Sequence, residues 1–354
     1  MKLIARVKLN ASPEQGTLLL QTMEAANTLC NWISQQAWES KKFRRYDIQN
    51  VTYHTARQKS GLAAQVVIRC IAKVADSYHK DRDTLRTFRP HGAIAYDDRI
   101  LSWETDNQVV SIWTVNGRAR LDFSVTDHHR KLLHYRQGET DLVYRKGMFY
   151  LLAVCEIPDP DERDVDTALG VDLGVVNIAA DSDGNTHTSE PIERNRAKHQ
   201  RLRQQLQQRQ TDSARRKLKK LAGKQARFQR NTNHVISKRL VAQAERTNRA
   251  IALEDLTGIR ERTRVKGRQQ RARRSNWSFA QLRDFVTYKA RRAGIPVKLV
   301  DPAYTSQRCA ACGHIERANR KSQSEFSCCV CGQAAHADVN RLRTLLGLPS
   351  TSLL

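Results

Sequence analysis

No apolar run in this sequence approaches the ~20 residues a helix needs to cross a bilayer, so no helical membrane span is expected. Acidic residues are also in short supply. Asp and Glu total 36 against 61 Lys and Arg, a formal net charge of +25 over 354 residues. That excess goes beyond what solubility requires and implies a polyanionic partner. The positive charge is spread over many segments and does not form one amphipathic stripe, which favours nucleic acid over a membrane surface. No signal peptide is recognisable, and Cys30, Cys70, Cys155 and Cys329 are scattered as in a reduced, cytoplasmic protein. No convincing helix-turn-helix is visible, which weighs against autonomous recognition of a DNA sequence.

Four further cysteines carry the sharpest signal. Cys309-x-x-Cys312 and Cys328-x-x-Cys331 form two knuckles, each followed by a glycine, Gly313 and Gly332. Glycine permits the positive φ that wraps a chain around a metal. Two such knuckles read as a four-thiolate Zn²⁺ site, and a closed set of thiolates is structural. Free or disulfide-bonded thiols are the plainer reading. Cys329 could stand in as a ligand, although only Cys328 keeps two residues before Cys331.

Periodicity organises the rest. Lys2 to Leu9 alternates as a strand. Ser12-Pro13-Glu14-Gln15 is a capping box, and apolar residues at helical spacing follow from Leu19 to Ala37. A second amphipathic stripe runs through Val67, Ile71, Val74 and Tyr78, after a break at Gly61. Period-two patterning spans Arg99 to Ile157, with a type I′ turn expected at Asn116-Gly117 and a second hairpin at Lys146-Gly147. A small barrel or sandwich with a helical insertion at about 11–82 is the simplest architecture, and Pro158-Asp159-Pro160-Asp161 is a linker. Beyond it come three short antiparallel strands, a polar helical hairpin over 191–246 broken near Gly223, and a strand ending in Glu254. A helix over 276–293, a strand from Val297 to Val300, the cysteine knuckles and a helix from about His336 to Leu346 complete the chain. That order is the order of an RNase H-like domain, a mixed sheet flanked by helices.

In such a domain acids meet when they lie on the first strand, at the end of the fourth and on the last helix. Asp172, Glu254 and Asp338 hold those places. Phosphodiester hydrolysis uses two divalent ions about 3.5–4 Å apart, and hard carboxylate oxygens suit Mg²⁺ or Mn²⁺. Gly170 and Gly174 would let a nucleic-acid backbone approach Asp172. Each acid has a plain reading as a turn, a solvated pair with Asp255, or an early-turn helix acid.

Leu169-Gly170-Val171-Asp172-Leu173-Gly174 with Asn177, Leu253-Glu254-Asp255-Leu256, and Tyr304-Thr305-Ser306-Gln307 before Cys309 resemble the TnpB family. So do Phe326-x-Cys328-x-x-Cys331-Gly332 and His336-Ala337-Asp338-x-Asn340. The resemblance covers Leu169 to Leu345. It implies a transposon-encoded, RNA-guided DNA endonuclease of prokaryotes, related to type V CRISPR effectors. In that family a RuvC-like nuclease triad would be Asp172, Glu254 and Asp338, with two catalytic Mg²⁺, and Cys309, Cys312, Cys328 and Cys331 would hold one structural Zn²⁺. The implied partners are a guide RNA from the transposon end and duplex DNA cut beside a short adjacent motif. The implied domains are a β-rich wedge (1–10 and 83–160) carrying a helical recognition insertion (11–82), and a nuclease domain (161–308 and 333–354) interrupted by the zinc ribbon (309–332). The family continues its last motif as Asn-Ala-Ala, whereas Arg341 and Leu342 follow Asn340 here. That departure keeps a cleavage-impaired DNA-binding repressor open as an alternative, and a transposase using the same acids is another.

Two basic segments complete the reading. Arg260, Arg262, Arg264, Lys266, Arg268, Arg271, Arg273 and Arg274 crowd a loop after Glu254 and read as a lid contacting phosphates. Arg215, Arg216, Lys217, Lys219 and Lys220 lie on the helical arm as a phosphate rail, or simply as a solvated face. Trp103, Trp113, Tyr144 and Tyr150 could stack on RNA bases, with packing in the core of the β region as the default.

Overall fold

The computed structural model describes residues 1–165, 167–174, 177–255, 279–300, 306–322 and 325–337, together with Tyr304, Asn340 and Thr344. The chain divides into two compact units, Met1–Pro158 and Asp159–Leu354.

In the first unit, β1 (Lys2–Leu9) lies at the centre of an antiparallel sheet. The other strands are β2 (Ile94–Tyr96), β3 (Leu101–Glu104), β4 (Val109–Thr114), β5 (Gly117–Ser124), β6 (Arg136–Arg145) and β7 (Met148–Glu156), in the order β2-β6-β7-β1-β5-β4-β3. The sheet curls until its two ends approach, and the Tyr96 hydroxyl donates to the Trp113 carbonyl at 3.0 Å. Three helices, α1 (Pro13–Glu39), α2 (Arg45–Ser60) and α3 (Ala64–Lys80), are inserted after β1, and a short α4 (Asp127–Leu133) follows β5. The Ser12–Gln15 capping box opens α1, and Gly61 closes α2 in the left-handed region. Leu19, Met23, Ile33, Ile71 and Tyr78 pack with Val7, Ile112 and Leu151 in one core, and Trp103, Trp113 and Tyr144 rest against it.

The hairpin turns exchange the expected roles. At Asn116-Gly117 only the glycine has a positive φ (+93°). Thr114 pairs with Gly117, so the two-residue loop is Val115-Asn116 and the glycine is the first residue of β5, not a loop residue with Asn116 as type I′ would have it. Lys146 (+53°) and Gly147 (+79°) are both positive, which is what type I′ requires.

In the second unit, β8 (Ala168–Asp172), β9 (Asn177–Asp181) and β10 (Thr186–Thr188) are antiparallel neighbours. β11 (Ala250–Glu254) pairs in parallel with both β8 and β12 (Val297–Val300). The sheet order is β10-β9-β8-β11-β12. Helices α5 (Glu190–Arg209), α6 (Asp212–Arg246) and α7 (Phe279–Arg292) belong to the same unit. Leu169, Val171, Ile251 and Leu253 project from the sheet into a core with Ile236, Leu240, Leu282 and Val286 of the helices.

The helical hairpin does not break at Gly223, which lies inside a continuous α6. The turn falls at Gln210, left-handed at φ +51°, and at Thr211, whose hydroxyl accepts from the Ala214 amide and caps α6. A mid-helix glycine costs only about 1 kcal/mol, less than a 35-residue helix gains from its packed face. The last helix begins within one residue of the expected start. His336 ends β14 (Ala334–His336), paired with β13 (Glu325–Ser327), and the helix starts at Ala337.

Gly294 closes the turn after α7 at φ +69°, and a Cβ there would lie 2.6 Å from the Asp161 carbonyl. Gly294→Ala should therefore destabilise the protein by more than the ~1–2 kcal/mol of left-handed strain alone. Urea unfolding with an unchanged midpoint would contradict this packing.

Candidate functional site

The two cysteine knuckles fold alike. The Gly313 amide donates to the Cys309 carbonyl at 2.9 Å and the Gly332 amide to the Cys328 carbonyl at 3.0 Å, with the two glycines at φ +75° and +71°. The amides of Cys309 and Cys328 in turn donate to the His314 and Gln333 carbonyls. These turns bring the Cys309, Cys312, Cys328 and Cys331 sulfurs within 4.8 Å of one another. The Cys309–Cys331 and Cys312–Cys328 sulfurs are 3.7 and 3.6 Å apart. Tetrahedral zinc with bonds of about 2.3 Å has sulfur–sulfur edges of about 3.8 Å, so the donor set fits that ion. Burial raises the Cys328 thiol, but the Cys331 and Val330 amides outweigh it and hold the group down to about 6. The neighbouring thiols of Cys309, Cys312 and Cys331 are instead held above the usual thiol value. Cys329 lies outside the four; its Sγ lies 2.8 Å from a Glu316 carboxylate oxygen.

The acids on the sheet are placed by strand register. Ala250, Ala252 and Leu253 of β11 pair with Ala168, Gly170 and Val171 of β8, so the next residue on each strand is Glu254 and Asp172. Register partners in a parallel pair share a face, which puts the two carboxylates side by side, opposite the face of Val171 and Leu253. Behind them on the same face lie only small residues, Gly170 and Ala252, then Ala168 and Ala250. Asp172 is 7% exposed and Glu254 0%. Asp255, the rival of Glu254, points elsewhere and lies 3.2 Å from Arg283. Asp338 lies outside the described residues.

Asn340 was a motif residue without a role in the sequence; the structure gives it one. It is 1% exposed, its Nδ2 donates to the Arg308 carbonyl at 2.8 Å, and its Oδ1 accepts from the Ala310 amide at 3.1 Å. Asn340 is thus fastened to the first cysteine knuckle. Sequence spacing gives no sign of this, because the partners lie about thirty residues away.

Arg215, Arg216, Lys217, Lys219 and Lys220 are all exposed on α6. Arg215 and Lys219, like Arg216 and Lys220, are four apart and share a face, while Ala214, Leu218 and Leu221 pack toward Leu202 and Leu206 of α5. Arg215 pairs with Asp212 at 3.1 Å. The basic run from Arg260 to Arg274 lies outside the described residues.

Two variants check this geometry. Asn340→Ala removes two hydrogen bonds to partly buried backbone groups and should cost about 1–3 kcal/mol, read as a lowered melting temperature; an unchanged melting curve contradicts the fastening role. At Gly174 a Cβ would lie 2.8 Å from the Asn177 carbonyl, so Gly174→Ala must shift the turn after Asp172. An unaltered melting curve and near-ultraviolet circular dichroism for that variant would contradict the close approach.

Comparison with known proteins gives a consistent family. The family described as probable transposase matches residues 153–277, and the Cas12f1-like TNB domain matches residues 279–343. A CRISPR-associated endodeoxyribonuclease Cas12f1 of Sulfoacidibacillus thermotolerans is 40% identical over 129 residues, 36% of this chain and 29% of that protein. A TnpB-like protein of Methanocaldococcus jannaschii is 38% identical over 96 residues, 27% of this chain and 34% of that protein. The chain thus matches only about a third of the length of these relatives. A solved Cas12f1-sgRNA-target DNA complex aligns with a TM-score of 0.65 over 94% of this chain and 83% of that chain, at 13% identity, a likeness of fold. Running consecutively from 153 to 343, the two family matches, with the TnpB-like relative, support a place for this chain in the TnpB family.

Proposed function

We propose that the protein is a transposon-encoded, RNA-guided DNA endonuclease whose second unit is an RNase H-like, RuvC-type nuclease with an embedded zinc ribbon. The observation that carries this reading is the in-register pairing of β8 and β11, which sets Asp172 beside Glu254. Like charges at neighbouring sheet positions repel, and a cation between them relieves that cost. Asp172, Glu254 and Asp338 would hold two Mg²⁺, with Mn²⁺ as a substitute, and bound ions there supply hydroxide at neutral pH and neutralise charge on a phosphate. Asp172 and Glu254 would present carboxylate oxygens to those ions, and the small Gly170 and Ala252 behind them add little side-chain bulk. Cys309, Cys312, Cys328 and Cys331 would hold a structural Zn²⁺ that fixes the ribbon.

Relatives named as endodeoxyribonucleases and a fold shared with a guide-RNA and target-DNA complex support the same reading. Pairing between a guide RNA and its target would carry sequence choice, while the protein holds backbone and reads a short adjacent motif. Residues 1–10 and 83–160 would act as the wedge, with 11–82 as a recognition insertion. The basic face of α6 and the segment from Arg260 to Arg274 would contact phosphates. With its net charge of +25 the protein would work in the prokaryotic cytoplasm, on the nucleoid.

Purified protein should carry one discrete RNA, and with it should cut a plasmid bearing the complementary site in Mg²⁺. Asp172→Ala and Glu254→Ala should each abolish cutting while RNA stays bound; undiminished cutting by Asp172→Ala, or activity in RNA-free protein, refutes the proposal. Affinity for duplex DNA should fall about 10³-fold between 50 and 200 mM salt if some six phosphates are neutralised. A flat salt response contradicts the basic-surface reading.

A further inference from the structure

A second group of metal-ligating side chains lies on the ribbon, separate from the four cysteines. His314, Glu316 and Cys329 each turn a donor atom into one small volume, all within 4.8 Å of one another. The His314 Nε2 lies 3.0 Å from a Glu316 carboxylate oxygen, and the Cys329 sulfur lies 2.8 Å from the same oxygen. We propose that these three residues form a second zinc site, open at its fourth position.

The donors come from both knuckles. His314 follows the Cys309–Cys312 turn, and its carbonyl accepts from the Cys309 amide at 2.8 Å. Cys329 lies inside the other turn, between Cys328 and Cys331. Glu316 precedes a short 3-10 turn at Arg317–Asn319. Asn319 holds the three segments in place. It is 0% exposed, its side-chain amide donates to the Gln307 and His314 carbonyls at 2.9 and 3.3 Å, and its Oδ1 accepts from the Cys329 amide at 3.0 Å. The backbones bearing two of the donors are therefore fixed by one buried side chain before any ion arrives.

The donor chemistry selects the ion. Imidazole, thiolate and carboxylate together are a borderline set that suits Zn²⁺ and is poor for Mg²⁺. Bonds of about 2.0–2.3 Å in a tetrahedron give donor–donor edges of about 3.3–3.6 Å. The observed 3.0 and 2.8 Å separations are hydrogen-bond distances, so an entering ion displaces the shared protons and spreads the donors by about half an ångström. Glu316 and Cys329 are exposed and His314 is partly so, which gives the ion a path and leaves its outer face to water. Three protein ligands with an open fourth position contrast with the closed four-thiolate set beside them.

The test is zinc stoichiometry of the whole purified protein, measured by mass spectrometry of the metal after dialysis against micromolar Zn²⁺. Two ions per chain are expected, falling to one in His314→Ala, Cys329→Ser and Glu316→Gln. The ion that remains should be released only on modification of the thiols with a mercurial, whereas the second should pass to a colorimetric chelator without it. Should Cys329→Ser or His314→Ala lose both ions through misfolding, Glu316→Gln, which changes only one charge, decides. One ion per chain in the unmodified protein, or two that persist in Glu316→Gln, overturns the proposal.

Discussion

The parallel pairing of β8 with β11 is the constraint on which the rest of the site depends. Two strands far apart in sequence align so that Ala168 meets Ala250 and Val171 meets Leu253. A slip of one residue would turn Glu254 toward the apolar core and Asp172 away from it. Alternation blocks such a slip, because Leu169, Val171, Ile251 and Leu253 fill the core beneath α6 and α7. The apolar face thus fixes where the carboxylates stand, and only small residues lie behind them on the acid face.

The cysteine ribbon serves the same end from another direction. Its knuckles are shaped by local backbone hydrogen bonds and two left-handed glycines, so they form whatever the rest of the chain does. Asn340 is in turn tied to Arg308 and Ala310 beside the first knuckle. Asn340 and the knuckles are thereby coupled: a metal ion held by the four cysteines would brace Asn340 through Arg308 and Ala310.

Features set by short-range chemistry were legible in the sequence. The capping box at Ser12, the left-handed Gly61 and the paired C-x-x-C-Gly knuckles depend on neighbouring residues alone, and each could be read directly. So could the order of strands and helices around Asp172 and Glu254. What escaped was decided by distant partners or by competing local signals. The arm breaks at Gln210 and Thr211 because a cap outweighs a mid-helix glycine. Asn116-Gly117 yields its expected turn type to Lys146-Gly147 because strand register, invisible in the dipeptide, sets which residues form the loop. The roles of Asn319 and Asn340 rest on backbone groups contacted across ten to thirty residues, and nothing in their own neighbourhood announces them.

The central claim is that Asp172, Glu254 and Asp338 share a divalent-ion site. Fe²⁺ can replace Mg²⁺ at carboxylate sites, and with ascorbate and peroxide it cuts the polypeptide next to where it is bound. The account predicts scission at three segments, around residues 172, 254 and 338, suppressed together by excess Mg²⁺. Scission at only one of them, or at sites unaffected by Mg²⁺, would contradict it.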